Sequence, residues 1–279
     1  MSIDINVVGL FMYGAMYYVG FFLMIILNVF LYYKVFNITR LRAIIYSVIT
    51  FAFGYLGATL IGDLYNVMTA IKGIDTKIGV DMIGAVLFEL LWIPTVYAEK
   101  YFLKRKSKAD DENKKIKTVS FRDTFDFITP GAFIVLACIK LGCCFSGCCY
   151  GIECSWGVYS WITGTTLFPI QIFEFATICL ILIAMYFVKQ TKFYRRGMAG
   201  PLTAAMYMFA RFCWEFLRYY DPEMRHFFLG LSLWQIFCLV IFIVVVVWVI
   251  VLYKTQPSEP MPKNYLFAKK TKNVSIEGK

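Results

Sequence analysis

Leu229-Gly-Leu-Ser-Leu-Trp-Gln-Ile-Phe-Cys-Leu-Val-Ile-Phe-Ile-Val-Val-Val-Val-Trp-Val-Ile-Val-Leu-Tyr253 holds no ionisable side chain except one cysteine and the closing tyrosine. A helix needs about 20 such residues to cross a bilayer. Six more apolar segments share the reading, so the sequence predicts an all-α integral membrane protein with seven transmembrane helices. They lie near 8–33, 41–62, 78–98, 126–141, 169–188, 198–217 and 229–253. The fourth is short, with Pro130 near its start and Lys140 at its end, and it runs into a Gly/Cys-rich stretch that reads as bent or re-entrant. Composition agrees. Of 279 residues, 60% are hydrophobic and 16% charged, and the mean hydropathy is +0.66. A soluble chain of this length does not carry that balance.

The net charge of +10 does not point to nucleic acid, because the basic residues sit in the connecting segments. Of 28 lysines and arginines, 22 follow spans 1, 3, 5 and 7. Basic residues concentrate on the cytoplasmic side of membrane proteins. The N-terminus is therefore expected outside and the C-terminus inside, with no cleavable signal peptide. One polytopic domain covers 1–254, with a basic cytoplasmic loop at 100–122. A tail at 255–279 reads as polar and mobile. Setting topology is the simplest role for 104–117; attraction to an anionic inner leaflet is the other.

Against that apolar background, Tyr207-Met-Phe-Ala-Arg211-Phe-Cys-Trp-Glu215-Phe-Leu-Arg218 stands out. Residues 207, 211, 215 and 218 share one helical face. A charge in mid-membrane costs roughly 2.5 kcal/mol or more and marks a functional site by default. Arg211 lies about 20 Å along span 6 at ~1.5 Å per residue, which is the outer half. Lys140, Asp81, Gln171, Glu174 and the tyrosines 13, 17 and 18 fall at that depth on other spans. Arg211, Lys140 and Arg218 can form a basic pocket at phospholipid head-group level, with arginine forking onto phosphate and lysine acting as a point charge. Glu215 either holds Arg211 or acts as a base. Simpler readings stand beside these: an interfacial tyrosine belt, a structural Arg211–Glu215 pair, Lys140 and Arg218 snorkelling outward, and Asp81 capping a helix. Glu89, nearer mid-membrane, has no evident partner.

The second unusual segment is Lys140-Leu-Gly142-Cys143-Cys144-Phe-Ser146-Gly147-Cys148-Cys149-Tyr-Gly151. Four readings are open: a thiolate metal site, disulfides at an oxidising surface (with Cys138 and Cys154 as further partners), a reactive thiol at Cys143 or Cys148, or small residues packing a crowded turn. Cys-Cys-x3-Cys-Cys does not follow the usual Cys-x2–4-Cys pairing of metal sites, so no metal and no cofactor are expected. Cys179, Cys213 and Cys238 read as small buried hydrophobes.

Several of these motifs together resemble the prolipoprotein diacylglyceryl transferase family of bacterial plasma-membrane enzymes, over most of 12–250. Tyr13-Gly-Ala-Met-Tyr17 is similar to its first-span motif, Lys140 to Gly151 to its signature region, and Phe168-Pro-Ile-Gln171-Ile-Phe-Glu174 to its His-Pro-Ser-Gln-Leu-Tyr-Glu. Tyr207-x3-Arg211-Phe-x2-Glu215-x2-Arg218 and Gly230-Leu-Ser-Leu-Trp-Gln235 are the most specific matches. The resemblance implies a multi-pass enzyme that moves diacylglyceryl from phosphatidylglycerol to the lipobox cysteine of an exported prelipoprotein, releasing glycerol phosphate. Its partners are membrane lipids and the prelipoprotein, not nucleic acid. Arg211, Glu215 and Tyr207 become the catalytic candidates. Lys140, Gly142, Ser146, Gly147, Tyr13, Gln171 and Arg218 become substrate-binding candidates. The chain departs from the family in places. Lysine replaces the signature arginine, Cys143 and Ser146 replace two asparagines, and Cys148 replaces a glutamate. Val80-Asp-Met-Ile-Gly84 stands where the family has His-Gly-Gly, and the one histidine is His226. A transferase with another thiol acceptor and a non-enzymatic lipid-binding or transport protein are the alternatives; paired broken helices or repeats would favour transport, and one broken segment is visible.

Overall fold

A computed structural model describes residues 5–32, 39–71, 121–160, 164–219 and 230–263, with positions 95, 97, 98 and 101. The elements in chain order are α1 (Ile5–Ile26, running into a π-helical stretch Leu27–Tyr32), α2 (Arg40–Ile71), α3 (Phe121–Ser146), strands β1 (Glu153–Ser160) and β2 (Thr165–Leu167), α4 (Ile170–Val188), α5 (Ala199–Glu215) and α6 (Leu233–Thr255). Five of these helices are long and apolar enough to cross a membrane. The fold is a mostly helical membrane bundle. Most of the expected span at 78–98, with Asp81 and Glu89, the segment 104–117, His226 and the tail beyond 263 lie outside the described residues.

Helix α3 is the axis of the bundle and touches α1, α2, α4 and α5, while α5 also packs on α4 and α6. The α3 span is 61% buried within the protein and the α6 span 11%, which fits α6 at the lipid-facing rim. Val240, Ile243, Val244 and Val247 give α6 an exposed apolar flank. The α1–α3 contact is close because glycines line it. A Cβ on Gly20 would stand 2.9 Å from Val135 Cα, and one on Gly142 would stand 3.2 Å from Tyr13 Cα. Small residues let membrane helices approach where apolar burial gives little drive.

One sequence expectation fails at α3. The helix is neither short nor bent into a re-entrant turn after 141; it begins at Phe121 and continues through Cys143 and Cys144 to Ser146. Pro130 is its tenth residue, not its first turn, and removes one backbone bond. Neighbouring helices pack around that point, so the helix carries on. Lys140 consequently sits inside the helix.

At the end of the bundle where α3 begins, Asp126 ties three segments together. Its carboxylate accepts from the Tyr194 hydroxyl, from Gly197 N at 2.7 Å and from Ala199 N at 2.8 Å. Ala199 opens α5, whose preceding residue Met198 supplies no side-chain cap. Asp126 therefore caps α5 from another helix, a favourable place for a negative charge. The first part of the tail is docked here rather than mobile: Met261 N donates to Lys189 O at 2.7 Å and Ser258 Oγ to Lys192 O at 2.6 Å.

The β1–β2 hairpin was not anticipated from the sequence. It pairs antiparallel, and its approach is bonded to the end of α5: Ile152 N donates to Leu217 O at 2.9 Å, and Gly151 bridges Arg218. A Cβ on Gly151 would fall 2.6 Å from Leu217 O, so this crossing needs glycine.

Candidate active site

Helix α4 contains one charged residue, Glu174, and it is fully buried. Lys140 Nζ of α3 lies 2.6 Å from Glu174 Oε2, Arg211 Nη1 of α5 3.0 Å from Oε1, and Arg218 Nη2 3.2 Å from Oε2. Arg211 also meets Glu215 at 2.5 Å, and Arg218 lies 3.9 Å from the same carboxylate. Among the described residues three cations thus surround two carboxylates, one positive charge in excess. Arg211 Nε is buried with no hydrogen-bond acceptor among the described residues. A buried donor without a protein partner is costly, and a guanidinium N–H in that position is suited to an anionic acceptor.

The predicted stripe on α5 is therefore real, but its organiser was missed. Glu174 appeared in the sequence as part of a motif and as one of several polar residues at the outer depth. The available signal was stronger: a single carboxylate in an otherwise apolar span must have cationic partners. Glu215 is fixed between two guanidinium groups, which favours its holding role over that of a base. Lys140 and Arg218 turn inward to Glu174 and do not snorkel. Tyr207 is buried, sets its ring edge-to-face on Phe133 at 5.5 Å and lies within electrostatic reach of Lys140.

The remaining candidates divide. Gln171 is buried and donates to Cys148 O at 2.6 Å, anchoring the loop after α3. Ser146 Oγ lies 3.1 Å from Cys148 Sγ. Gly147 has φ +67° and open space beside it. Gly142 serves the α1–α3 contact, as its distance to Tyr13 shows. Tyr13 borders the thiols of Cys143, Cys148 and Cys149. Tyr17 packs on Phe51 and Tyr55 of α2, and Tyr18 is exposed.

None of the nine cysteines is in a disulfide. The sulfur atoms of Cys143, Cys148 and Cys149 lie within 4.8 Å of one another. Cys238 is buried as expected, whereas Cys179 is half-buried and Cys213 exposed. Cys138 and Cys179 border an apolar groove of about 350 Å³ between α1, α3 and α4, with Leu23, Ile134, Phe175 and Leu182. It begins one residue beyond Glu174 on α4 and two before Lys140 on α3.

The model of the prolipoprotein diacylglyceryl transferase family matches residues 1–251. The chain belongs to that family. No curated protein matches it significantly. As a member of the prolipoprotein diacylglyceryl transferase family it is a membrane transferase of lipoprotein biosynthesis, and the family motifs acquire physical meaning here. The Gly230-to-Gln235 motif opens α6: Ser232 Oγ accepts from Gln235 N, and the Gln235 side chain accepts from Ser232 N at 2.8 Å. That reciprocal pair is a capping box, so this part of the family motif builds a helix start.

Proposed function

We propose that the Glu174-centred cluster binds the phosphate of phosphatidylglycerol while the adjoining groove takes acyl chain, and that the enzyme passes diacylglyceryl to the lipobox cysteine of an exported prelipoprotein. The excess cation and the unaccepted Arg211 Nε carry this reading. Arg211 forks onto the phosphate, Lys140 adds a point charge, and Glu174 with Glu215 keeps the cations from drifting. Tyr207 and Tyr13 line the approach. The acceptor thiol gives its proton to water, its sulfur attacks the glyceryl carbon to form a carbon–sulfur bond, the carbon–oxygen bond to phosphate breaks, and glycerol phosphate departs with that electron pair. Cations aimed at the departing phosphate stabilise the charge that grows there. Being ionic, the site selects the lipid by its head group; the groove asks only for apolar chain.

The same reading places the chain in a bacterial plasma membrane with seven spans, the N-terminus outside and the C-terminus inside. It is one polytopic domain over 1–254, with the 100–122 loop and the 255–279 tail in the cytoplasm. Arg40, Arg42, Arg122, Lys189, Lys192 and Lys254 all occur at the helix ends opposite the cluster, which supports that orientation. The cluster then faces the side where prelipoproteins emerge.

The test is reconstitution. Purified protein in vesicles containing phosphatidylglycerol should add a diacylglyceryl mass to a lipobox cysteine peptide and release glycerol phosphate. Vesicles with only phosphatidylethanolamine should not support it. Arg211→Ala should abolish transfer; undiminished transfer by that variant would remove the cluster from the mechanism.

A further inference from the structure

The phosphate site leaves three neighbouring thiols unused. Cys143 is on the last turn of α3, and Cys148 N donates to its carbonyl at 3.2 Å. Gly147 at φ +67° and Cys149 at φ +60° then turn the chain back on itself. A left-handed backbone is uncommon outside glycine, and at Cys149 it accompanies the return of a third sulfur toward the first two. Cys144 is left out of the group. Ligands about 2.3 Å from a tetrahedral zinc ion stand roughly 3.8 Å apart. Sulfurs within 4.8 Å of one another need only small side-chain rotations to converge on one ion. Ser146 beside Cys148 and Gln171 on the Cys148 carbonyl supply the outer hydrogen bonds that orient metal ligands. The sequence spacing argued against such a site; the two left-handed turns are what spacing alone does not reveal.

We infer that Cys143, Cys148 and Cys149 hold a thiophilic, redox-inert divalent ion of the zinc class, whose fourth position receives the acceptor thiol. Three soft thiolates suit such an ion. Three protein ligands with an open fourth position is the arrangement of catalytic rather than structural zinc. Cys149 is exposed on the protein surface, which gives the ion an entry side. Lys140 and Arg218 lie within electrostatic reach of Cys149, offsetting the negative charge of a thiolate set and placing the ion beside the phosphate cluster. The role rests on the transfer reaction proposed above. A metal-bound thiol is deprotonated outright, so the ion does the work of a base. The acceptor thiol gives its proton to water on binding. Its sulfur pair attacks the glyceryl carbon, the carbon–oxygen bond breaks, and the phosphate takes the electron pair and leaves as glycerol phosphate. The product thioether, now uncharged, is a weaker ligand and departs.

The experiment uses the full chain in lipid nanodiscs, reduced, stripped with chelator and titrated with Co²⁺. One ion per chain should bind with sulfur-to-cobalt charge-transfer absorption, and Zn²⁺ should displace it. Cys143→Ser, Cys148→Ser and Cys149→Ser should each weaken or abolish the signal, and Cys144→Ser should keep it. A lipobox cysteine peptide should alter the visible cobalt bands, whereas its serine counterpart should not. Absence of the charge-transfer signal, or its survival in all three variants, overturns the site. Bands indifferent to the cysteine peptide overturn the acceptor role. Chelation should lower transfer about 100-fold or more, with recovery on adding Zn²⁺. Full transfer by metal-free protein overturns this inference and leaves the proposed function standing. A cobalt site behaving as described in a protein that moves no diacylglyceryl overturns the proposed function and the acceptor role, and keeps the metal site.

Discussion

Two buried knots of charge sit about 21 Å apart along α3, at ~1.5 Å per residue from Asp126 to Lys140. At the first, one carboxylate accepts two backbone amides and a tyrosine hydroxyl, and Lys189 adds a nearby charge. At the second, three cations surround two carboxylates and Arg211 Nε has no acceptor among the described residues. The Asp126 carboxylate of the first knot is filled by the protein's own donors and closes the bundle. The second carries one more cation than carboxylates among the described residues. Burial alone does not separate structure from function here; the balance of charge among the described residues does, one cation to one carboxylate at the first knot and three to two at the second.

The largest break in the comparison is Glu174→Gln. It keeps the shape but leaves three cations facing Glu215 alone. Removing one partner of a buried ionic set costs about 3–5 kcal/mol. Transfer should fall by roughly 1,000-fold or more, since Lys140, Arg211 and Arg218 lose their common anchor. A thermal melt in detergent and the vesicle assay read the two effects. Normal transfer in a folded Glu174→Gln protein would remove Glu174 as organiser.

Legibility in the sequence follows the same division. The span at Ile170–Val188 and the stripe Tyr207–Arg211–Glu215 were readable because apolar length and helical spacing are local properties. The identity of Glu174 as the hub was not, since it depends on which faces of α3, α4 and α5 meet. The long α3 was misread at Pro130, where neighbouring helices compensate for the lost backbone bond. The convergence of Cys143, Cys148 and Cys149 depends on left-handed turns at 147 and 149, and no periodicity announces those. The docked segment at 256–263 was read as mobile because its polarity is visible and its partners at Lys189 and Tyr194 are not.

Arg211→Lys separates charge from geometry. The ammonium keeps the positive charge but loses the fork that reaches both carboxylates and, in the proposed complex, the phosphate. A loss of about 100-fold in kcat/KM is expected, comparable to removing a transition-state donor. A loss confined to KM would assign Arg211 to lipid capture alone.

The Asp126 knot should answer differently. Asp126→Asn cannot accept all three donors and acquires donors of its own, so the melting temperature should fall by the equivalent of about 2 kcal/mol. Transfer by the folded protein should stay near normal; a large loss would mean that the two knots are coupled. Lys189 gives the knot a pH signature. Burial lowers its pKa from 10.5 to about 8, with Asp126 opposing the shift. Between pH 8 and 10.5 the unfolded chain therefore binds the extra proton, and stability rises with pH through that window. The gain by pH 9.5 is on the order of 2 kcal/mol. It should vanish in Lys189→Met, by melts of both proteins at pH 7.5 and 9.5; an unchanged slope would place the titration elsewhere.

The finest test concerns the lysine that stands where the family has arginine. Lys140 meets Glu174 with one ammonium at 2.6 Å, while two arginines already occupy the rest of that carboxylate. Lys140→Arg would restore a fork, but the added bulk enters a buried site. If the cluster is short of donors for phosphate, the variant should raise kcat/KM a few-fold, within the ~1 kcal/mol that one extra charge-assisted bond supplies net. If the lysine instead matches the cysteine-rich loop beside it, the same change should lower transfer by a similar factor and weaken cobalt binding with it. Measuring both on one preparation tells whether Lys140 serves the phosphate, the thiols or the two together. Only a fall in transfer with unchanged cobalt affinity would make it a matter of packing.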